Sequence, residues 1–159
     1  MTPTLTTPQR AALKTAIQAD STANGFYVAG NLDGLAAHLN AAASPSFTVW
    51  KTLVSINQVG DNLVATELAG LSTLNATRLQ TIADYSTAGV NPSLPDRRAF
   101  FDDVFSGAGG VLTRAKLLIL WKRLATRAER VFATGTGSDA SPGTLVVEGA
   151  ITTSELVNL

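Results

Sequence analysis

Apolar positions along this chain recur mostly three and four residues apart, the spacing of one face of an α-helix. Leu13, Ala16 and Ile17 follow it, with Arg10, Lys14 and Gln18 opposite. Thr7-Pro8 ahead of them reads as a cap and a proline at the first helical position. Asp20 and Ser21 end or restart that helix; a second covers residues 22–28 and stops at Gly30. Asn31 caps a third over residues 32–39, and Pro45 fixes the loop that follows. Residues 47–54 suit a strand through Phe47, Thr48 and Val49, and a helix equally well through Trp50, Leu53 and Val54. Trp50 is read as a core anchor. Ser55 or Asn62 caps the next helix, and Leu74, Leu79, Ile82 and Tyr85 mark another over residues 73–85. Residues 87–94 form a loop.

Pro95 opens a helix with Ala99, Phe100, Val104 and Phe105 on its apolar face, and Gly107, Gly109 and Gly110 form a hinge-like break after it. The longest helix spans residues 111–124, with Leu117, Leu118, Leu120, Trp121 and Leu124 on its buried side. A second part covers residues 126–133. Thr126 and Glu129 have capping-box spacing, which either restarts the helix with a kink or falls inside one continuous helix. The periodicity stops after residue 133. Residues 134–143 are Gly, Thr, Ser, Asp, Ala and Pro, which suits an extended or mobile arm. Residues 144–148 have strand propensity, and Thr152 and Glu155 form another capping box. The pattern predicts a mainly α protein of five to seven helices: a small helical bundle over residues 1–133 and an extended C-terminal arm, residues 134–159, carrying a short β-strand.

Composition narrows this picture. The 159 residues include no cysteine, one histidine and one methionine, which excludes disulfides and thiolate metal sites. Ala and Leu supply much of the apolar content, and only 6% of residues are aromatic, which suits close helix packing. The longest apolar run, Leu117 to Trp121, is far too short to cross a membrane, and the N-terminus lacks a secretory signal pattern. The reading is a soluble protein made in the cytoplasm, without membrane partners.

Charge is distributed unevenly. Eight of the twelve Lys and Arg residues lie between Arg97 and Arg130, against three acids there, so a neutral chain contains a segment near +5. On a continuous helix, Lys116, Arg123, Arg127 and Arg130 form one stripe, a candidate contact for phosphate or for an acidic neighbouring subunit. No helix-turn-helix or aromatic interleaving accompanies it, which argues against sequence-specific DNA reading.

Catalytic chemistry has little to build on. His38 sits among apolar and small neighbours, and Asp102-Asp103 point about 100° apart on a helix. The glycine clusters match neither a phosphate loop nor a dinucleotide fingerprint. No catalytic, cofactor or metal residue is assigned, and the chain is read as a non-enzyme. Leu145, Val146, Val147 and Ile151 are the candidate partner-binding residues, as an unpaired strand able to add to a partner's sheet.

The stretch from Ala125 to Ile151, with Val49-Trp-Lys-Thr52 and the Asn31 to Asn40 helix, resembles virion-associated proteins of tailed bacteriophages. The order of parts is similar to that of head–tail connector, or adaptor, proteins: small helical proteins that ring the portal and reach onto it through an extended C-terminal segment. The resemblance implies a ring of identical copies in the virion, contacting portal and tail or neck proteins, with non-specific contact to packaged DNA. Tail completion or a capsid-associated role is the alternative; a small enzyme or DNA-binding regulator is further from the pattern.

Overall fold

The computed structural model describes residues 4–86 and 88–159; Met1, Thr2, Pro3 and Thr87, the last at the start of the predicted 87–94 loop, lie outside the described residues. The chain is mainly helical with a few short strands. Ten α-helices occur among the described residues: α1 Thr7–Ala19, α2 Ser21–Val28, α3 Leu32–Asn40, α4 Ile56–Asp61, α5 Ala65–Ala69, α6 Thr73–Tyr85, α7 Pro95–Val104, α8 Val111–Leu120, α9 Arg127–Phe132 and α10 Thr153–Leu156. The strands are β1 Thr48–Trp50, β2 Lys122–Leu124, β3 Ala133–Thr134 and β4 Thr144–Leu145. The ten exceed the expected five to seven; α4, α5, α9 and α10 are only one or two turns long.

Side-chain caps set the helix boundaries. Asp20 stops α1 and starts α2, its Oδ1 accepting from the N–H groups of Thr22 and Ala23, both at 3.0 Å. Asn31 accepts from Gly34 N–H at 2.9 Å to start α3. Ser55, not Asn62, caps α4, and Ser72 caps α6. The Thr126–Glu129 capping box forms at α9, with bonds of 3.0 and 3.1 Å.

The chain divides into two compact units, one from Met1–Val49 with Leu124–Leu159, the other Trp50–Arg123. The expected division at residue 133 is not the one observed. The first unit packs α1, α2, α3 and α9 around Leu13, Ile17, Leu35, Leu39 and Phe132. Val147, Ile151 and Leu156 complete that same core, so residues 134–159 are not a free arm. Polar bonds hold the segment down. Asn40 brackets Ile151, donating to its carbonyl at 2.8 Å and accepting from its N–H at 2.9 Å. Buried Glu129 accepts from Gly149 N–H, and Lys14 donates to the backbone oxygen of Leu159 at 2.7 Å. Arg10 pairs with Glu155 at 3.4 Å.

The glycine-rich stretch 134–143 also has a packing role. Gly137 is buried at φ +67°, and a Cβ there would lie 2.2 Å from the Phe47 ring. Its carbonyl accepts from Thr48 N–H at 2.7 Å, and Gly143 N–H donates to the Thr48 carbonyl at 2.9 Å. Glycine is needed here for close approach and for a left-handed backbone, not for mobility. The strand at Thr144–Leu145 pairs antiparallel with β3, Ala133 opposite Leu145. Its edge is therefore used within the chain.

In the second unit, Val54, Val59, Val90, Phe101, Val104, Phe105, Leu117 and Trp121 form the core. Phe101 stands edge-on to Trp121, with ring centroids 5.4 Å apart. The predicted hinge at Gly107 to Gly110 is instead a 3₁₀ turn, Ala108–Gly110, whose buried Gly110 lies against Phe105 too closely for any Cβ.

Candidate protein-binding surface

α8 is shorter than its apolar pattern predicts. The helix ends at Leu120; residues 122–124 are extended, and α9 begins a separate helix at Arg127. Capping supplies the reason. The Thr126 hydroxyl and Glu129 carboxylate bond the first backbone N–H groups of a new helix, and Ala125 N–H donates to the Phe47 carbonyl at 2.8 Å. The single cationic stripe therefore does not exist. Lys116 lies on α8 and Arg123 on β2, in the second unit; Arg127 and Arg130 lie on α9, in the first. The last two are occupied by backbone, Arg127 donating to the His38 carbonyl at 3.1 Å and Arg130 to the Pro45 carbonyl at 3.2 Å.

The candidate strand residues are likewise dispersed. Val147 and Ile151 are buried, Leu145 is half-buried, and of the four only Val146 is exposed. Alternation along an extended chain separates Val146 from Val147, and Ile151 follows the turn at Gly149 into the core.

One apolar surface left uncovered is the outer side of α8. Val111, Leu112, Leu118 and Ile119 are exposed, Leu112 at 59% and Ile119 at 74%, and Ala115 is exposed between them. Their positions fall within an arc of about 120° at 100° per residue, opposite the inward-facing Thr113, Leu117 and Trp121. Leu118 and Leu124, expected on the buried side, are both exposed. A helix with leucine and isoleucine on two sides looks like a core helix in sequence. Here one side is buried in its own unit and the other is uncovered.

A neighbouring helix holds the N-terminus of α8. Gly110 offers no side-chain cap, and Glu67 of α5 takes that role, accepting from Leu112 N–H at 3.0 Å and Thr113 N–H at 2.7 Å. Desolvation pushes the Glu67 carboxyl up, but bonds from Thr113 and Leu112 with the charge of Arg114 outweigh it and leave the pKa lowered. The Thr113 hydroxyl accepts from Val64 N–H at 3.1 Å.

Cavities occur in both units. One of about 470 Å³ in the first unit has a mixed lining, with Asp20, Ser44, Arg127 and Arg130 beside Ala16, Leu39 and Val131. An apolar one of about 370 Å³ in the second lies among Ile56, Leu68, Leu79, Ile82 and Phe101. A third, of about 300 Å³, touches the α8 surface at Ala115 and Leu118, and its other walls are Trp50, Arg98, Asp102, Arg114 and Trp121. The Arg98 guanidinium stacks 4.1 Å above the Trp50 ring centre. Sequence spacing could not show that pair, because 48 residues separate its members.

His38 sits on the packing face of α3 with its Nε2 2.9 Å from Asp20 Oδ2. Of the adjacent acids, Asp103 pairs with Arg78 at 2.7 Å rather than with Arg98. Among the described residues, no group of three or more His, Cys, Asp or Glu could hold a metal ion, and no helix is long and apolar enough to cross a membrane.

Asp20 gives a direct stability prediction. The hydrogen bond from His38, with those from Ala23 and Thr22, holds its carboxyl below the ordinary value. A depressed carboxylate pKa contributes stability that is present above the unfolded-state pKa and lost as pH falls through the folded one. Asp20→Ala should cost about 1 kcal/mol at neutral pH through loss of the cap. Asp20→Asn keeps an acceptor and should cost less. In urea titrations the gap between parent and Asp20→Asn should close as pH falls below the ordinary carboxylate range and through the lowered folded-state pKa.

Comparison with protein families, curated proteins and solved structures gave no match to this chain.

Proposed function

We propose that this chain is a structural subunit of a tailed-phage virion, a head-to-tail adaptor that assembles as a ring of identical copies at the portal. The observation that supports an assembly role is the uncovered apolar side of α8. Contiguous exposed apolar surface of this kind marks protein–protein contact. The resemblance of residues 125–151, of Val49 to Thr52 and of the Asn31 to Asn40 helix supplies the phage context. Docking is reassigned from residues 134–159, which belong to the first unit's core, to α8 in the second unit.

The surface that covers α8 in this reading is a second copy of the chain. Side-chain charges favour it: the second unit carries eight Lys and Arg against six acids, and the first carries four against six. A +2 unit and a −2 unit on one chain suit a head-to-tail contact, and head-to-tail contacts that close form rings. Portal and neck proteins are the proposed further partners. Packaged DNA is a weaker candidate, because the four cations once placed in one stripe are split between two units.

Tail completion or a capsid-associated role remains the alternative, since either would use the same subunit contact. Particles purified from a culture that encodes this chain decide the point by quantitative mass spectrometry. The adaptor reading expects several copies per particle in fractions that contain portal and neck proteins. A chain abundant in the lysate and missing from particles would end the virion reading.

A further inference from the structure

The third cavity lies wholly within the second unit and has a composition that calls for a specific ligand. Two guanidinium groups line it, and both are fixed in place without a carboxylate. Arg98 stacks on Trp50 and donates through Nη1 to the Pro92 carbonyl. Arg114 donates through Nη1 to the carbonyls of Phe105 and Gly107. Neither forms an ion pair among the described residues. Burial pushes the Arg98 pKa below its ordinary value, with the Asp102 charge pulling the other way. Asp102 is the one acid on the wall, so the cavity keeps a net positive charge. A guanidinium held by stacking and by one backbone bond still has N–H donors in a planar fork, the geometry that matches a carboxylate. Leu118 and Ala115 join the cavity to the exposed face of α8, so whatever covers that face reaches it. Trp and Arg set beside an apolar patch are also the usual composition of an interface anchor.

We propose that this cavity is a carboxylate-binding socket, which takes an aspartate or glutamate side chain from the neighbouring subunit that covers α8. The socket stands on the cavity's own residues; the source of the carboxylate rests on the assembly reading above.

The chain's two tryptophans, Trp50 and Trp121, both line the cavity, so intrinsic emission reports its occupancy. The full chain, diluted until it sediments as a monomer, is titrated with N-acetyl-glutamate N-methylamide and with its neutral glutamine counterpart. The proposal expects a saturable emission change with the glutamate probe and binding of the glutamine probe weaker by about tenfold or more. Arg98→Met should lose about tenfold in affinity for the glutamate probe. Asp102→Asn provides a test that misfolding cannot mimic. Asp102 is exposed and makes no ion pair among the described residues, and its neutralisation should tighten glutamate binding severalfold. Equal responses to the two probes, no saturable response, or an Asp102→Asn protein that binds no tighter than the parent would overturn the socket. The same variants test the source. Arg98→Met that loses the probe but associates as tightly as the parent overturns the neighbour's side chain as the ligand. A parent that binds the probe but never associates leaves the socket standing and removes the assembly reading.

Discussion

A chain cut after Thr134 should lose its first unit altogether. The deletion removes Val147, Ile151 and Leu156, buried to 8, 1 and 2% exposure in a core shared with Leu13, Ile17 and Leu35. Burial of each such side chain contributes roughly 1.5–3 kcal/mol, so the three together are comparable with the roughly 5–15 kcal/mol that holds a whole domain folded. The cut also strips Glu129 of its bond from Gly149 and Asn40 of both its bonds to Ile151. Far-UV circular dichroism of the truncated chain should show a large loss of helix, well beyond the four residues of α10. Retention of the helical signal of α1, α2 and α3 would mean that residues 134–159 are dispensable for that core.

Trp121→Ala should destabilise the second unit by about 3–5 kcal/mol, the range for emptying a buried aromatic site. Trp121 is 3% exposed and packs on Phe101 and Leu117. Trp121→Phe should behave very differently. The indole Nε1 is buried with no hydrogen-bond partner, a state that costs roughly 1–3 kcal/mol. Phenylalanine removes that donor while leaving a smaller void, so the two effects offset and the net change should stay below about 1.5 kcal/mol. Urea unfolding followed by Trp50 emission measures both. Similar losses for the alanine and phenylalanine variants would show that the indole donor finds a partner.

Local chemistry was readable from sequence where one residue decides it. Asp20, Asn31 and Ser55 cap helices because their side chains reach backbone N–H groups two or three residues on, an interaction contained in a few consecutive positions. The helix Thr73–Tyr85 emerged at the same bounds from the spacing of Leu74, Leu79, Ile82 and Tyr85. Features that depend on distant residues were not readable. Gly137 looked like a flexible linker residue because its neighbour Phe47 lies 90 residues away. Leu118 and Leu117 are adjacent and chemically identical, and only the packing against Phe101 and Trp121 determines which is buried. The basic stripe failed because it assumed one unbroken helix. The Thr126–Glu129 box that breaks it was visible, but sequence alone left restart and continuity equally open. The Arg98–Trp50 stack and the Glu67 cap on α8 join residues 48 and 45 positions apart, beyond any local pattern.

The central claim is that α8 is the surface through which copies of this chain assemble. Sedimentation velocity of the purified full chain, parent beside Ile119→Lys, tests it most directly. Ile119 is 74% exposed, so lysine there should leave the fold intact while placing a charge in the middle of the proposed contact. The account predicts that the parent sediments as a concentration-dependent species larger than the 16.5 kDa chain, and that Ile119→Lys sediments as the monomer with an unchanged helical spectrum. A parent that stays at 16.5 kDa at every concentration, or an Ile119→Lys protein that associates as strongly as the parent, would contradict it.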